Sequence, residues 1–139
     1  MIALTDEMRQ AFATALADGA PDIVATADPA TGEPDIAFKG SAMVFDAEHL
    51  AFWERAHGQT LRNLRANPRV CLLYRNPKTR TARKFFGHAE LHEAGDLRQQ
   101  VMDRTIPVEL ERDPERRGIA VLVRVDRVLQ AGQVIMARE

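Results

Sequence analysis

The chain has 139 residues, of which 45% are hydrophobic and 28% are charged, and its formal net charge is −1. This length and balance predict a single domain over residues 1–139 with a buried core, as in ordinary globular proteins. A nearly neutral chain offers no general electrostatic attraction for nucleic acid or for a membrane surface, so neither is predicted as a partner.

The only cysteine, Cys71, lies in the apolar run 70–74, where a small buried thiol fits the core. A single cysteine cannot form an intrachain disulfide, which agrees with a reducing compartment. The first ten residues show no basic region followed by an apolar run, and no apolar stretch is long enough to span a bilayer. The predicted location is therefore the cytoplasm.

The chain begins with a predicted amphipathic helix. Thr5 is a suitable N-cap, Met8 and Phe12 recur at helical spacing, and Gly19 ends the segment. Short β-like runs joined by turn formers follow at 23–26, 35–39, 42–45 and 50–53.

The second half predicts further strands with helices between them. A short helix at 61–66 precedes strands at 69–74 and 82–92, a helix at 95–104, and strands at 118–128 and 129–137. The charged segment 105–118 is predicted to be an irregular surface connection with at most a helical turn. Six to eight strands joined mostly by tight turns favour antiparallel pairing, and a closed or nearly closed barrel would remove most exposed edges. The fold class is mainly β (α+β).

The segment after the fourth β-like run has the composition of a phosphate-binding site. Gly58 allows close backbone approach, and Gln59 and Thr60 begin a helix whose free N–H groups favour an anion. Arg55 adds a charged donor, and Lys39 ends an earlier strand at the same pole of a small barrel. The alternative is that Thr60 only caps the helix while Arg55 and Gln59 are solvated.

Two other features point to weaker candidates. The run 75–84 has five basic residues and no acid, which indicates a solvated hairpin or, alternatively, a surface for an anionic partner. His88 and His92 are four residues apart, but on a strand this spacing spans about 13 Å, which is too far for one ion. No metal site is predicted.

The stretch PDIAFKGSAMVFDAEHLAFWERAHGQTLRNLRANPRVCLLY, followed by RKFFGHAEL, resembles the pyridoxamine 5′-phosphate oxidase-related, FMN-binding split-barrel family. The resemblance covers about residues 22 to 131. It implies a six-stranded antiparallel split β-barrel with flanking short helices. It also implies a homodimer that holds FMN at the subunit interface.

The same resemblance assigns site residues. It places the phosphate on Lys39, Arg55, Gln59 and Thr60, with a contribution from the partner's strand that contains Arg83 and Lys84. The full set of cofactor-binding positions that it implies is Lys39, Gly40, Ser41, Ala42, Trp53, Glu54, Arg55, Gln59, Thr60 and Lys84. Many relatives carry a Lys or Arg where Gln59 stands, so one charged phosphate partner is missing here.

The implied activity is an FMN-dependent oxidoreductase that transfers hydride or electrons to or from a small organic substrate, with NADH or NADPH as a candidate donor. The C-terminal residues lack the basic signature that grips the substrate phosphate in true pyridoxamine phosphate oxidases, which counts against vitamin B6 oxidation. The alternatives are a non-catalytic flavin-binding or sensing protein, a deazaflavin-dependent reductase of the same fold, and a flavin-free binding module. The sequence designates no catalytic acid or base.

Overall fold

One eight-stranded antiparallel sheet forms the framework of the chain in a computed structural model, which describes residues 1–139. In chain order the elements are α1 (Asp6–Thr14), β1 (Asp22–Ala27), β2 (Pro34–Lys39), β3 (Met43–Val44), β4 (His49–Glu54), α2 (Gln59–Ala66), β5 (Arg69–Asn76), β6 (Thr81–His92), α3 (Asp96–Arg104), α4 (Pro107–Leu110), β7 (Ile119–Gln130) and β8 (Gln133–Ala137).

The strand order is β2-β1-β5-β6-β7-β4-β3, and β8 pairs with the end of β7. The sheet curls into a half-barrel, so the predicted split barrel of mainly β class is confirmed. The structure has eight strands where the family resemblance implied six. The difference arises because β3 has only two residues and β8 is a short hairpin strand that folds back on β7.

The concave side of the sheet holds the main core. Every second residue of β1, including Val24, is buried on this side. Buried residues also alternate with more exposed ones in the central parts of β5, β6 and β7. Helix α1 covers this core. Thr5 is its N-cap, as predicted, because Thr5 Oγ1 accepts the N–H of Met8 at 3.2 Å. The Phe12 ring then meets Phe85 edge-on at 5.2 Å between centroids.

A smaller apolar cluster lies on the other side of β4 and β7, beneath α3. Val101 of α3 is fully buried there against Ala51, Trp53 and Leu122. The following segment, predicted to be irregular, contains the single-turn helix α4, whose first residue Pro107 suits a helix start. None of the four helices combines the length and the apolar character that crossing a membrane would require.

The convex side of β2, β1 and β5 is apolar and uncovered. Ile36 and Phe38 of β2 are 69% and 71% exposed. The register places Phe38 beside Ile23, and Ile23 beside Leu73, so the four side chains lie on one face of the sheet. We call these four residues the outer apolar face.

Candidate cofactor site

The loop between β4 and α2 presents an uncapped helix N-terminus. Gly58 occupies the N-cap position and no side chain caps the first turn of α2. His57 has a φ of +51°, so the chain turns sharply just before the helix. The first N–H groups of α2 therefore lack a side-chain acceptor, and with the helix dipole they favour an anion.

The charges around this N-terminus are positive. Arg55 is exposed and forms no ion pair, and the first turn of α2 has no acidic residue. Arg62 lies one turn further on and donates to Gln59 Oε1 at 3.0 Å. The Gln59 amide donates in turn to Asn63 Oδ1 at 2.8 Å. The side chain of Gln59 is thus engaged within α2, and Arg55 is the free guanidinium.

Lys39 is held by a buried carboxylate. Its Nζ lies 2.6 Å from Glu54 Oε1; the lysine side chain is 11% exposed and that of Glu54 is 0% exposed. Apart from this ion pair, Glu54 Oε1 has no other polar partner. The second oxygen, Oε2, accepts the N–H of Ala56 at 3.1 Å. Glu54 therefore orients the β4–α2 loop and neutralises Lys39.

Residues 40–42 connect the end of β2 to β3 and are tied to β4. Ser41 Oγ accepts the N–H of Trp53 at 3.0 Å and donates to the Trp53 carbonyl at 3.1 Å. Ala42 is buried. A Cβ on Gly40 would lie 2.7 Å from Glu109 Oε1, so the chain passes close to α4 at this point. These side chains fix the strand ends that frame the loop.

Trp53 is turned away from the loop opening. Its side chain is 2% exposed, and its Nε1 donates to Asp113 Oδ2 at 2.9 Å. The guanidinium of Arg98 lies 4.9 Å from the centroid of the Trp53 ring on the α3 side. The indole is therefore part of the small core and offers no exposed stacking surface.

Asp113 connects this core to the segment before β7. It accepts the N–H groups of Arg117 and Gly118 at 3.0 and 2.8 Å. Burial acts to raise the pKa of Asp113, but these bonds and that from Trp53 hold the pKa below its ordinary value. The carbonyl of Arg117 lies 2.8 Å from His57 Nε2, so the same segment also holds the β4–α2 loop.

Arg83 and Lys84 lie on opposite faces of β6. Arg83 is buried and paired with Glu7 and Gln130, and the hydrogen bond from Arg83 is the main reason that the pKa of Glu7 is lowered. Lys84 is exposed on the convex side, next to Leu73 in the register. Of the two cations, Lys84 is free to meet a second molecule.

The structure thus brings most of the predicted positions to one end of the half-barrel. Lys39–Ala42, Trp53–Arg55 and Gln59–Thr60 meet where β2, β4 and α2 begin or end, whereas Lys84 lies on the convex face. Sequence analysis missed Asp113 and Arg98, which support this end through Trp53. Their separation from Trp53 by 60 and 45 positions carries no local signal that could have revealed them.

The sequence model for pyridoxamine 5′-phosphate oxidase matches residues 8–127, so the chain belongs to the pyridoxamine 5′-phosphate oxidase family. A search against curated proteins finds no match. Among similar solved structures, a candidate pyridoxamine 5′-phosphate oxidase from Lactobacillus delbrueckii is 26% identical, with a TM-score of 0.73 over 93% of this chain and 95% of that chain.

Two more distant structures share the fold. An FMN-binding protein from Syntrophomonas wolfei is 12% identical, with a TM-score of 0.69 over 91% of this chain and 90% of that chain. HutZ, the heme storage protein from Vibrio cholerae, is 17% identical, with a TM-score of 0.68 over 91% of this chain and 94% of that chain. At these identities the likeness concerns the fold alone.

Proposed function

We propose that the chain binds FMN, with the phosphate at the N-terminus of α2, and works as a flavin-dependent oxidoreductase on a small organic substrate. The observation that carries this proposal is the uncapped first turn of α2 next to the unpaired guanidinium of Arg55. A dianionic phosphate fits this donor set because it can accept both backbone N–H groups and a charge-assisted bond from arginine.

The residues of this site have distinct roles in the proposal. The N–H groups of Gln59 and Thr60 and the guanidinium of Arg55 hold the phosphate. Glu54 keeps the loop in place through the N–H of Ala56. Lys39 stays with Glu54, so its contribution is to fix that carboxylate rather than to bind phosphate directly. FMN, when bound, supplies the redox chemistry, and the chain positions it.

A second copy of the chain completes the site in this proposal. The outer apolar face exposes two large side chains, Ile36 and Phe38, on an edge strand, which is unusual for a monomer. Lys84 borders that face and would reach the partner molecule. The homodimer therefore accounts for both the uncovered apolar surface and an exposed cation beside it.

Comparing the affinities for FMN, riboflavin, a deazaflavin coenzyme and hemin tests both the choice of cofactor and the role of the FMN phosphate. FMN and riboflavin share the ring system, so a site built around α2 should bind FMN much more tightly than riboflavin. Titrations of the purified protein with FMN, riboflavin, a deazaflavin coenzyme and hemin, followed by Trp53 fluorescence, measure this directly. A preference for hemin or for the deazaflavin would replace FMN in the proposal, and equal affinity for FMN and riboflavin would refute the phosphate site.

A double substitution tests the named donors. Arg55→Ala with Thr60→Ala should weaken FMN binding by about 2–4 kcal/mol, because the charged guanidinium and the Thr60 hydroxyl are lost while the backbone N–H groups of α2 remain. Riboflavin affinity should not change. Arg65→Ala, which removes another exposed arginine at the far end of α2, is the matched control. Unaltered FMN affinity in isothermal titration would remove these residues from the site.

Catalysis is tested separately from binding. With FMN bound, reduction by NADH or NADPH followed by turnover of an electron acceptor is expected of the oxidoreductase. If FMN binds much more tightly than riboflavin but is never reduced, the chain is a non-catalytic flavin-binding protein.

A further inference from the structure

A small pocket of about 160 Å³ lies beside β3, between the side of α1 and the end of α3. Apolar side chains form most of its wall, and its only charged residues are Arg9 of α1 and Arg104, the last residue of α3. Pockets for whole drug-sized ligands measure about 300–1,000 Å³, so this one fits a head group rather than a complete cofactor.

The two guanidinium groups converge on one backbone oxygen. Arg9 Nη1 donates to the carbonyl of Val44 at 3.0 Å, and Arg104 Nη2 donates to the same carbonyl at 3.2 Å. The two nitrogens are therefore at most about 6.2 Å apart, which is the sum of these distances. Because a charge-assisted bond to an anionic oxygen spans about 2.7–2.9 Å, one oxyanion can accept N–H groups from both arginines.

Most donors of this arginine pair are unused. A guanidinium carries five N–H groups, but Arg9 makes its only side-chain hydrogen bond through Nη1, and Arg104 bonds only through Nη2. The guanidinium of Arg104 is also fixed by the Phe45 ring, whose centroid lies 4.5 Å away. The pair is thus held in place while it keeps N–H groups for a ligand.

The positive charge of the pair is not balanced within the chain. Neither Arg9 nor Arg104 forms an ion pair, and no acid lines the pocket. The carboxylate of Glu109 lies near the β2–β3 connection, but it is paired with Arg112 at 3.3 Å. Two like charges held this close repel each other, and a doubly charged anion between them would balance both.

The alternative role of the arginines is to cover the free edge of β3, which ends the strand order. One arginine is enough for that purpose, because Arg104 alone donates to the carbonyls of both Val44 and Phe45. Arg9 adds a second positive charge to a carbonyl that already has a donor. The extra charge is what points to an anionic ligand.

The pocket does not include the groups that hold the FMN phosphate in the proposed function, namely Arg55, Gln59 and Thr60. No residue of the outer apolar face lines it either, so the proposed second copy of the chain is not assigned to it. Its wall contains Ser41 and Ala42, which the family resemblance assigned to the cofactor, but both are buried and the Ser41 hydroxyl is bonded to β4.

We propose that this pocket binds a phosphate group, either free or as the head of a small phosphomonoester. A phosphate dianion matches the two positive charges and has enough oxygens to accept bonds from both guanidinium groups, whereas a carboxylate would balance only one charge. Met43 and Ile106 line the same pocket and would contact the organic part of an ester. The proposal does not depend on flavin binding.

Titrations with inorganic phosphate, glycerol 3-phosphate and acetate at constant ionic strength test the site by nuclear magnetic resonance. The Nε–H signals of Arg9 and Arg104, identified by their loss in Arg9→Lys and Arg104→Lys, should shift saturably with phosphate, with half-saturation at or below about 1 mM. Acetate should bind at least about tenfold more weakly. Tighter binding of glycerol 3-phosphate identifies an ester as the ligand, and equal binding identifies the phosphate group alone.

Variants separate this pocket from the site at α2. Arg9→Met and Arg104→Met should each weaken phosphate about tenfold or more, read on the signal of the arginine that remains, because half of the charged donors is lost. Arg65→Met, which removes an exposed arginine at the far end of α2, and Arg55→Ala should not weaken it. FMN affinity should be the same in Arg9→Met as in the wild type.

Several results would overturn the proposal. Signals of Arg9 and Arg104 that do not shift, acetate that binds as tightly as phosphate, or an equal effect of Arg65→Met would show that the pocket is not a phosphate site. FMN binding that is weakened by Arg9→Met but not by Arg55→Ala would place the flavin phosphate here and leave no second site. The shifts are read in the wild type, so a methionine variant that fails to fold does not prevent the test.

Discussion

At the scale of single residues, Asp22 carries a buried carboxyl group that no other side chain contacts through a hydrogen bond or an ion pair. Its side chain is almost completely inaccessible, and Oδ1 has no hydrogen bond. Burial raises the pKa of Asp22 to about 8, with one backbone hydrogen bond acting in the opposite direction. The folded protein therefore keeps a proton on Asp22 that the unfolded chain, with a pKa of about 3.9, releases above that pH.

This difference makes stability depend on pH in a defined direction. The free energy of unfolding should include the full contribution of protonated Asp22 below about pH 4 and should lose it as the pH rises toward 8. Asp22→Asn resembles the protonated form, so it should be more stable than the wild type by roughly 2–4 kcal/mol at pH 7 and equal to it at pH 4. Urea unfolding at both pH values measures this.

The matched control for Asp22 is Glu33→Gln, which removes an exposed acid. In this variant the free energy of unfolding should change between pH 4 and pH 7 by the same amount as in the wild type. If Asp22→Asn is destabilising at neutral pH, the carboxylate is charged in the native state and has a partner that this structure does not contain.

At the scale of elements, Asp113 holds the segment between α3 and β7 to Trp53 of β4. Asp113→Asn should cost about 1–3 kcal/mol of unfolding free energy, because three buried or half-buried N–H donors lose a charged acceptor. Trp53 is the only tryptophan, so its fluorescence maximum should also shift as the indole N–H loses its partner. Asp103→Asn, an exposed change on α3, should do neither.

The elements also show what periodicity can predict and what it cannot. Alternating apolar residues were enough to find the strands β1, β5 and β7, and the Thr5 cap was enough to find the start of α1. The single-turn helix α4 is too short to produce a periodic signal, and the sequence predicted at most a helical turn in an otherwise irregular segment. The two residues of β3 lie within the β-like run predicted at 42–45, but their pairing with β4 is not visible in the sequence.

At the scale of the whole molecule, the strand order joins segments that are distant in the chain. β1 pairs with β5 and β4 pairs with β7. The short strands and tight turns favoured an antiparallel, nearly closed barrel and the family resemblance specified a split barrel, but neither predicted these pairings. The candidate site was predicted from the residues of the β4–α2 loop, whose composition favours an anion at the N-terminus of α2. The buried pair of Lys39 with Glu54 could not be foreseen, because it depends on how β2 and β4 meet in space.

The outer apolar face leads to the prediction at this scale. Ile36→Lys with Phe38→Lys should give a monomer at concentrations where the wild type is a dimer, since two charges would lie in the centre of the proposed contact. Both side chains are exposed in one chain, so the thermal unfolding of the variant should be close to that of a wild-type monomer. Sedimentation equilibrium measures the association directly.

The paired measurement is FMN binding by the same variant. If the partner completes the flavin site, the monomer should release FMN, whereas Val134→Lys with Ile135→Lys, on the exposed part of β8, should change neither association nor binding. A wild-type protein that sediments as a monomer at every concentration would remove the dimer from the proposal. Tight FMN binding by a proven monomer would instead restrict the flavin site to the β4–α2 end of one chain.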